Sequence, residues 1–414
     1  MRYAIIGAGP AGVVAAETLR ARDSGGEIIL LGGEAEPAYS RMAIPYLLAG
    51  QIDESGTYLR HTQGHFESLS IQYVQDLVKA LDVESRRLIL KEGGSVEFDR
   101  LLIACGSHPV KPQIEGLDQP GIHHCWTLED ARSIAKYATA GSRVVLMGAG
   151  FIGSIIMEAL VRRKVKLTLV EMADRMVPRM MDQTAGNLIK QWCIEQGVDV
   201  KTSTRVKAVT PDSSGKARYL LETDGAGEIP ADLVVVATGV RPTIGFLAGS
   251  AIETRQGVVV DDHLQTSVKG IYAAGDVCEG FDWNSGNRAI HAIQPVAAET
   301  GRLAALNMSG CKTLYTGSLA MNVLDSIGLI STSYGAWQGK AGGDDAQQLD
   351  ASRYKYIKLQ FEEDRLIGAI TLGITEHVGV LRGLIQSRIA LGEWKQRLVR
   401  DPSRIMEAYL AKTQ

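Results

Sequence analysis

The chain has 414 residues, of which 45% are apolar and 22% charged, and its formal net charge is -3. That length allows two or three domains with buried cores, and the near-neutral balance leaves no basic footprint for nucleic acid. Forty-five glycines against 12 prolines point to many tight strand-to-helix turns rather than flexible linkers.

The N-terminus reads MRYAIIGAGPAG and enters a strand at once, with no signal-peptide pattern ahead of it. Residues 3–6 read as a buried strand. Gly7, Gly9 and Gly12 follow in G-x-G-x-x-G spacing around Pro10 and Ala11, and residues 13–21 continue as an alanine-rich helix. The first glycine permits a tight turn, the second lets backbone approach a pyrophosphate, and the third lets helix and strand pack closely. The helix start then offers free N–H groups and partial positive charge to phosphate. The next strand, EIILLGGE, ends at Glu34, 22 residues after Gly12, where a carboxylate accepts both hydroxyls of an adenosine ribose.

Residues 39–46, YSRMAIPY, form a short turn with a methionine at position 42. Further on, LLIACGSHP (101–109) reads as a strand running into a turn. A second copy of the nucleotide pattern follows in RVVLMGAGFIG, with Gly148, Gly150 and Gly153 around Phe151 and Ile152, a helix through Arg163, and a strand ending at Glu171. An acid at that strand end favours NAD, because it accepts from a free 2'-hydroxyl and repels a 2'-phosphate. Arg175, four residues on, is the one nearby group that softens this preference. The bland alternative is a duplicated sheet domain with one inactive site, but both copies keep all three glycines and the acid.

LVVVATGVRP (233–242) repeats the strand-to-turn pattern through Gly239, and GIYAAGDV (270–277) ends on Gly275 and Asp276. Pro295 suits the first turn of a helix running to about Met308, since it has no N–H to lose there. Beyond it, 315–337 and the alternating stretch 354–373 read as antiparallel strands with an E-E-D-R turn, 381–400 reads as one amphipathic helix, 340–353 as a mobile loop, and the tail after Ala411 as frayed. From Arg382 to Gln414 seven basic residues face three acidic ones, either a docking surface for an acidic partner or a solvated face.

The five cysteines (105, 125, 193, 278 and 311) include no C-x-x-C pair, which suits a reduced cytoplasmic protein without a metal site. No apolar run reaches the 18 or so residues of a membrane span, so direct membrane insertion is not expected.

The two glycine fingerprints, the two strand-to-turn segments and GIYAAGDV together resemble the two-dinucleotide family of FAD- and NADH-dependent oxidoreductases. That family includes rubredoxin and ferredoxin reductases, NADH oxidases, coenzyme A disulfide reductases, and FAD subunits of larger reductase or aldehyde oxidoreductase complexes. The resemblance implies an α/β fold with two Rossmann-type domains and a C-terminal α+β interface domain. Its expected boundaries are 1–109 and 231–311 for FAD, 110–230 for NAD and 312–414 for the interface domain, the last serving homodimerisation or partner docking.

The resemblance also assigns roles. Gly7, Gly9, Pro10, Ala11, Gly12 and Glu34 would hold FAD, with Arg41 near the pyrophosphate, the Val78 backbone at the adenine, Cys105 and Gly106 at the first closing turn, and Gly275 and Asp276 at the ribityl chain. Gln294 and Pro295 would bring a helix start to the flavin pyrimidine ring, where its dipole stabilises negative charge. Tyr46 and His291 are further flavin neighbours, or else ordinary packed residues. Gly148, Gly150, Phe151, Ile152, Gly153, Glu171 and Gly239 would hold NAD(H).

The chain departs from the family pattern in three places. Cys105 stands where threonine is usual, and Ile155 where many relatives have a glutamate, with Glu158 one turn on as a substitute or a surface acid. Met42 stands where the oxidase and disulfide-reductase branches carry a redox cysteine, and a thioether forms neither thiolate nor sulfenic acid. The expected activity is therefore electron exchange between NAD(H) and an iron-sulfur protein of rubredoxin or ferredoxin type, through flavin and without an acid-base side chain. The rivals are an NADH oxidase or coenzyme A disulfide or peroxide reductase, and an NADH-binding flavoprotein with a sensing or scaffold role.

Overall fold

The strand Arg2–Ile6 lies at the centre of a five-stranded parallel sheet in the order Ile271–Ala273, Arg100–Ile103, Arg2–Ile6, Glu27–Gly32, Ile71–Gln75. Runs such as YAII, IILL and LLI are the near-continuous apolar segments that parallel strands need when both faces are covered. This sheet forms the core of the first of two compact units in the computed structural model, which describes residues 1–413.

Two helices matter most to the site in this unit. Pro10–Arg22 follows the central strand, and Gln294–Met308 packs across it. The crossing is close because Gly301 has no side chain: a Cβ there would stand 2.9 Å from the Ala11 carbonyl carbon. A three-stranded antiparallel sheet (Val78–Asp82, Arg87–Leu90, Ser95–Glu97) lies in the same unit.

The second unit repeats the design with a parallel sheet ordered Asp199–Lys201, Lys166–Val170, Arg143–Met147, Leu233–Val236, Ile122–His124. Because Leu233–Val236 pairs in register with Val144–Met147, the residues after 231 belong to this sheet. The chain returns to the first unit at Val240, not at 231 as the sequence suggested. The reason is the strand itself, which closes the second sheet before the crossing.

The C-terminal residues cluster with the second unit. They form a five-stranded antiparallel sheet ordered Met321–Ser326, Leu329–Gly335, Arg365–Leu372, Lys355–Glu362, Asp344–Asp350, with the expected turn between Glu362 and Arg365. Two expectations fail here. The segment read as a mobile loop contains the edge strand Asp344–Asp350, whose only buried residue is Ala346, so its composition is polar although its backbone is paired. The single helix read over 381–400 is two helices, Val378–Gln386 and Glu393–Arg400. Arg388 and Gly392 take left-handed φ of 48° and 55°, while buried Leu391 donates its N–H to the Asp364 carbonyl on the hairpin turn. Tertiary anchoring thus breaks a continuous amphipathic pattern. A last helix, Ile405–Thr413, carries past Ala411, and Gln414 lies outside the described residues.

Among the described residues no helix is long and apolar enough to cross a membrane, and no group of three or more His, Cys, Asp or Glu is arranged to hold a metal ion.

Candidate dinucleotide-binding sites

In the first fingerprint the three glycines divide by function. Gly7 adopts φ of 110°, donates its N–H to Leu31 O at 2.8 Å, and would place a Cβ 2.6 Å from the Ala104 carbonyl carbon. A Cβ on Gly12 would run into the Gly7 carbonyl. Those two glycines are demanded by packing. Gly9 differs, because its Cβ would meet nothing within 4 Å, and it caps the helix Pro10–Arg22 without any side-chain hydrogen bond. The first-turn N–H groups thus have no side-chain cap, and nothing crowds the backbone at Gly9.

Other expected FAD residues gather around this turn. Gly275 has φ of 73°, and a Cβ on it would touch both Ala11 and Ala297, so the first turns of the two helices converge there. Its N–H donates to Thr300 Oγ1 at 3.0 Å, and Ser107 Oγ donates to Asp276 Oδ2 at 3.3 Å. Burial pushes the Asp276 carboxyl above its ordinary value. Gly106 takes φ of 68° beside Cys105, whose Sγ lies 3.2 Å from Thr243 O and whose thiol burial pushes up to about 12. Val78 is buried at the start of its strand.

At the end of the second strand Glu34 accepts from Tyr39 Oη at 2.6 Å and pairs with Arg41. The sequence placed these residues at different parts of a dinucleotide, whereas the fold joins them in one network with Tyr39. The YSRMAIPY stretch is not a simple turn but a 3-10 turn (Arg41–Ala43) followed by a short helix (Ile44–Leu48). Met42 and Tyr46 stand 44% and 55% exposed on it. Ser40 Oγ donates to Gln294 Oε1 at 2.5 Å, tying this segment to the exposed start of the helix that carries Pro295. His291 is instead enclosed, with Nε2 3.1 Å from Asp282 Oδ2 but off the hydrogen-bond line.

The second fingerprint repeats the division of labour. Gly148 (φ of 104°) would press a Cβ to 2.9 Å from the Ala237 carbonyl carbon, and Gly153 would press one into the Gly148 carbonyl. Gly150, the uncapped start of the helix Phe151–Arg162, and Gly239 (φ of 119°) both face open space. Phe151 and Ile152 are half-buried in the first helical turn. Glu171 Oε2 accepts from Ala149 N and its Oε1 from Ala173 N, each at 2.7 Å, which holds the carboxylate against the fingerprint loop.

Arg175 turns away from that carboxylate: its nitrogens donate to Met181 O, Pro178 O, Asp174 and Gln183. Glu158 pairs with Arg162 at 2.8 Å on its own helix and Ile155 is half-buried.

Sequence reasoning passed over Thr300, Ser107, Tyr39 and Ser40. Hydroxyls carry no spacing signal, so only folding reveals that they brace the glycine turns and the acids. The basic C-terminal run is also less available than its composition suggests. Lys395 pairs with Asp344, Arg397 with Glu393 and Arg404 with Glu407, while Arg382 donates to Gln386.

Two parallel sheets, each with an open glycine-capped helix start and an acid at the neighbouring strand end, define a two-dinucleotide oxidoreductase fold. A family model described as pyridine nucleotide-disulphide oxidoreductase matches residues 1–296, and the chain belongs to that family. FAD and NAD(H) are its cofactors, and it is an FAD-type NADH oxidoreductase.

Over 416 aligned residues it is 29% identical to the epsilon subunit of NADH-dependent phenylglyoxylate dehydrogenase from Aromatoleum evansii, covering 100% of this chain and 98% of that one. It is 31% identical to the ferredoxin–NAD(+) reductase component of the biphenyl dioxygenase system from Paraburkholderia xenovorans (strain LB400), over 66% of each chain. Among solved structures, an NAD-dependent persulfide reductase from A. fulgidus superposes with a TM-score of 0.86 at 27% identity, covering 95% of this chain and 78% of that one.

Proposed function

We propose that this protein exchanges electrons between NADH and an iron-sulfur protein of rubredoxin or ferredoxin type, with FAD as its sole redox group and no redox-active thiol. The observation that carries this reading is Met42. It stands exposed on the segment that Ser40 ties to the start of helix Gln294–Met308, in the position where a disulfide-reducing relative needs a thiolate.

The remaining cysteines support the same conclusion. Burial pushes the thiols of Cys105, Cys125, Cys193 and Cys278 up to about 12. Cys311, half-buried, lies 3.3 Å from Arg22 Nη2 at the last turn of the first helix, far along the chain from the glycine turn.

FAD supplies the conversion between hydride and single-electron chemistry. The chain's own residues bind and orient. Gly9 and the helix start at Pro10 would take the pyrophosphate, Glu34 and Arg41 the adenosine ribose and phosphate region, Val78 the adenine, and Asp276 the ribityl hydroxyls. Gln294 and Pro295 would present the second helix start to the flavin ring, with Tyr46 at its border. On the nicotinamide side Gly150, with Phe151 and Ile152, would take the pyrophosphate, and Glu171 the ribose. Arg175 is engaged on its own loop and Glu171 repels a 2'-phosphate, so NAD is the preferred partner.

The electron partner is a separate carrier or a subunit of a larger assembly such as an aldehyde oxidoreductase complex. The end-to-end similarity to a subunit named as part of an NADH-dependent dehydrogenase favours the second arrangement.

The test is anaerobic. NADH is mixed with the FAD-loaded protein, flavin absorbance is followed, and oxygen, a coenzyme A disulfide, rubredoxin and a ferredoxin are added separately. Fast bleaching with reoxidation by an iron-sulfur protein alone supports the reading. Equally fast reoxidation by the disulfide or by oxygen sinks it, and bleaching too slow for turnover reduces the protein to a binding role.

A further inference from the structure

A buried pair lies just ahead of the second helix start, and neither the fingerprints nor the proposed electron path uses it. Asp282 is only 6% exposed, and its Oδ2 lies 3.1 Å from His291 Nε2, a nitrogen shielded from solvent and without an aligned hydrogen-bond partner. Asp282 Oδ1 accepts the Ser285 N–H at 2.6 Å, and the Asp282 backbone closes a turn by bonding Asn287 O and Gly286 N. The His291 carbonyl accepts the N–H of Ile293 at 2.9 Å, and Ile293 caps the helix that begins at Gln294. A carboxylate, an imidazole and a helix start are thus linked in one short run of chain. The first turn of that helix meets Gly275 through Ala297, beside the open phosphate-binding turn.

The groups facing this pair limit what it can be. Tyr315 senses Asp282 and bonds Ser318, Glu299 and Cys278 act on Tyr315, and Arg288 donates to the Val260 carbonyl. Burial opposes the charge, but the adjacent His291 imidazole and the hydrogen bonds from Ser285 outweigh it and hold the Asp282 carboxyl below its ordinary value, so it is a fixed charge at neutral pH. A buried carboxylate with a poorly aligned partner is not what packing alone would keep, since two apolar residues of the same volume would fill the space without desolvating a charge.

We infer that Asp282, held by His291, is a positioning residue that sets the reduction potential of the FAD, by placing a buried negative charge behind the helix start at Gln294. Hydride delivery brings two electrons and one proton and leaves one added negative charge at the flavin. A fixed negative charge nearby opposes that addition, and the positive end of the helix favours it. The balance between them makes the flavin a stronger electron donor than the helix alone would. The inference rests on the proposed placement of Gln294 and Pro295 at the flavin.

The test measures the potential of protein-bound FAD by equilibration with a redox dye, using Asp282→Asn and His291→Leu. Asp282→Asn removes the charge and keeps the shape. It is expected to raise the ratio of reduced to oxidised FAD, at a fixed dye ratio, by about three-fold or more. His291→Leu removes a group that keeps the buried carboxyl ionised, so the ratio is expected to move the same way at low pH and to return toward the parent value at high pH, where Asp282 ionises again. A shift at every pH in Asp282→Asn beside one that reverses with pH in His291→Leu supports the inference, because general loosening would not reverse with pH.

No shift in Asp282→Asn, or a shift in His291→Leu that persists unchanged at high pH, overturns it. If one variant does not retain FAD, the other decides. Loss of FAD from both overturns the inference as well, since the pair would then be a binding element. The dye measurement needs neither NADH nor an iron-sulfur carrier, so failure of the proposed electron partner leaves this result standing on its own.

Discussion

Tyr356 Oη donates to Asp182 Oδ2 at 2.8 Å, and the other oxygen of the same carboxylate caps the helix Gln183–Glu195 by accepting the Ala185 N–H at 3.0 Å. Lys358 lies 3.5 Å from Asp182 Oδ2. One side chain therefore serves a nucleotide-domain helix and a strand of the C-terminal sheet together, which accounts for these segments forming a single compact unit.

Tyr356→Phe removes one hydrogen bond to a charged acceptor and leaves the cap intact. It is expected to lower stability by about 1–2 kcal/mol. The measurement is urea unfolding, with a lower midpoint and an unchanged slope.

Substituting glycines separates packing from binding. Gly12→Ala forces a Cβ into the Gly7 carbonyl and is expected to give insoluble or strongly destabilised protein. Gly9→Ala meets no neighbour within 4 Å, so it should fold with an unchanged melting temperature yet retain FAD at least about ten-fold more weakly. Thermal melting beside the ratio of flavin to protein after gel filtration distinguishes the two.

In the proposed reading, nicotinamide choice rests on Glu171 and not on Arg175. Glu171→Ala should reduce kcat/KM for NADH by about 10- to 100-fold, as expected for losing hydrogen bonds to a charged acceptor, and should narrow the preference over NADPH. Arg175→Ala should leave that preference unchanged, because its guanidinium is engaged within the 174–183 loop. Steady-state kinetics with both nucleotides decides between them.

Thiol chemistry should be dispensable. Treating the folded protein with iodoacetamide is expected to leave the rate of flavin reduction by NADH, and of reoxidation by a competent carrier, within about two-fold of the untreated rate. Inactivation that tracks alkylation of one cysteine would remove the argument built on Met42.

Acid should weaken one identifiable link. Arg143 grips Asp232 through Nε (3.0 Å) and Nη2 (2.7 Å) and adds its backbone N–H, and these bonds hold the Asp232 carboxyl below its ordinary value. A carboxyl whose folded-state pKa is depressed stabilises the fold above its unfolded value and loses that contribution as pH falls through the folded one. Asp232→Asn should therefore be less stable than the parent at neutral pH, with the difference closing below about pH 4. Urea midpoints collected from pH 2 to 7 provide the check.

Residue types and their spacing made legible the two glycine turns, the acids beyond them and the parallel strands that carry them. Those features are local: a tight turn, a close approach and a buried apolar run each demand a residue type at a set spacing, as Gly7, Gly12, Gly148 and Gly153 do. The return of the chain at Val240, the paired edge strand at Asp344–Asp350, the break in helix at Arg388 to Gly392, and the pairings of Glu34 with Arg41, Asp182 with Tyr356 and Asp282 with His291 emerge from the folded chain instead. Each depends on groups brought together by other parts of the fold. A polar strand hides its pairing in a solvated composition, and a buried carboxylate shows its partner only when the chain has closed around it.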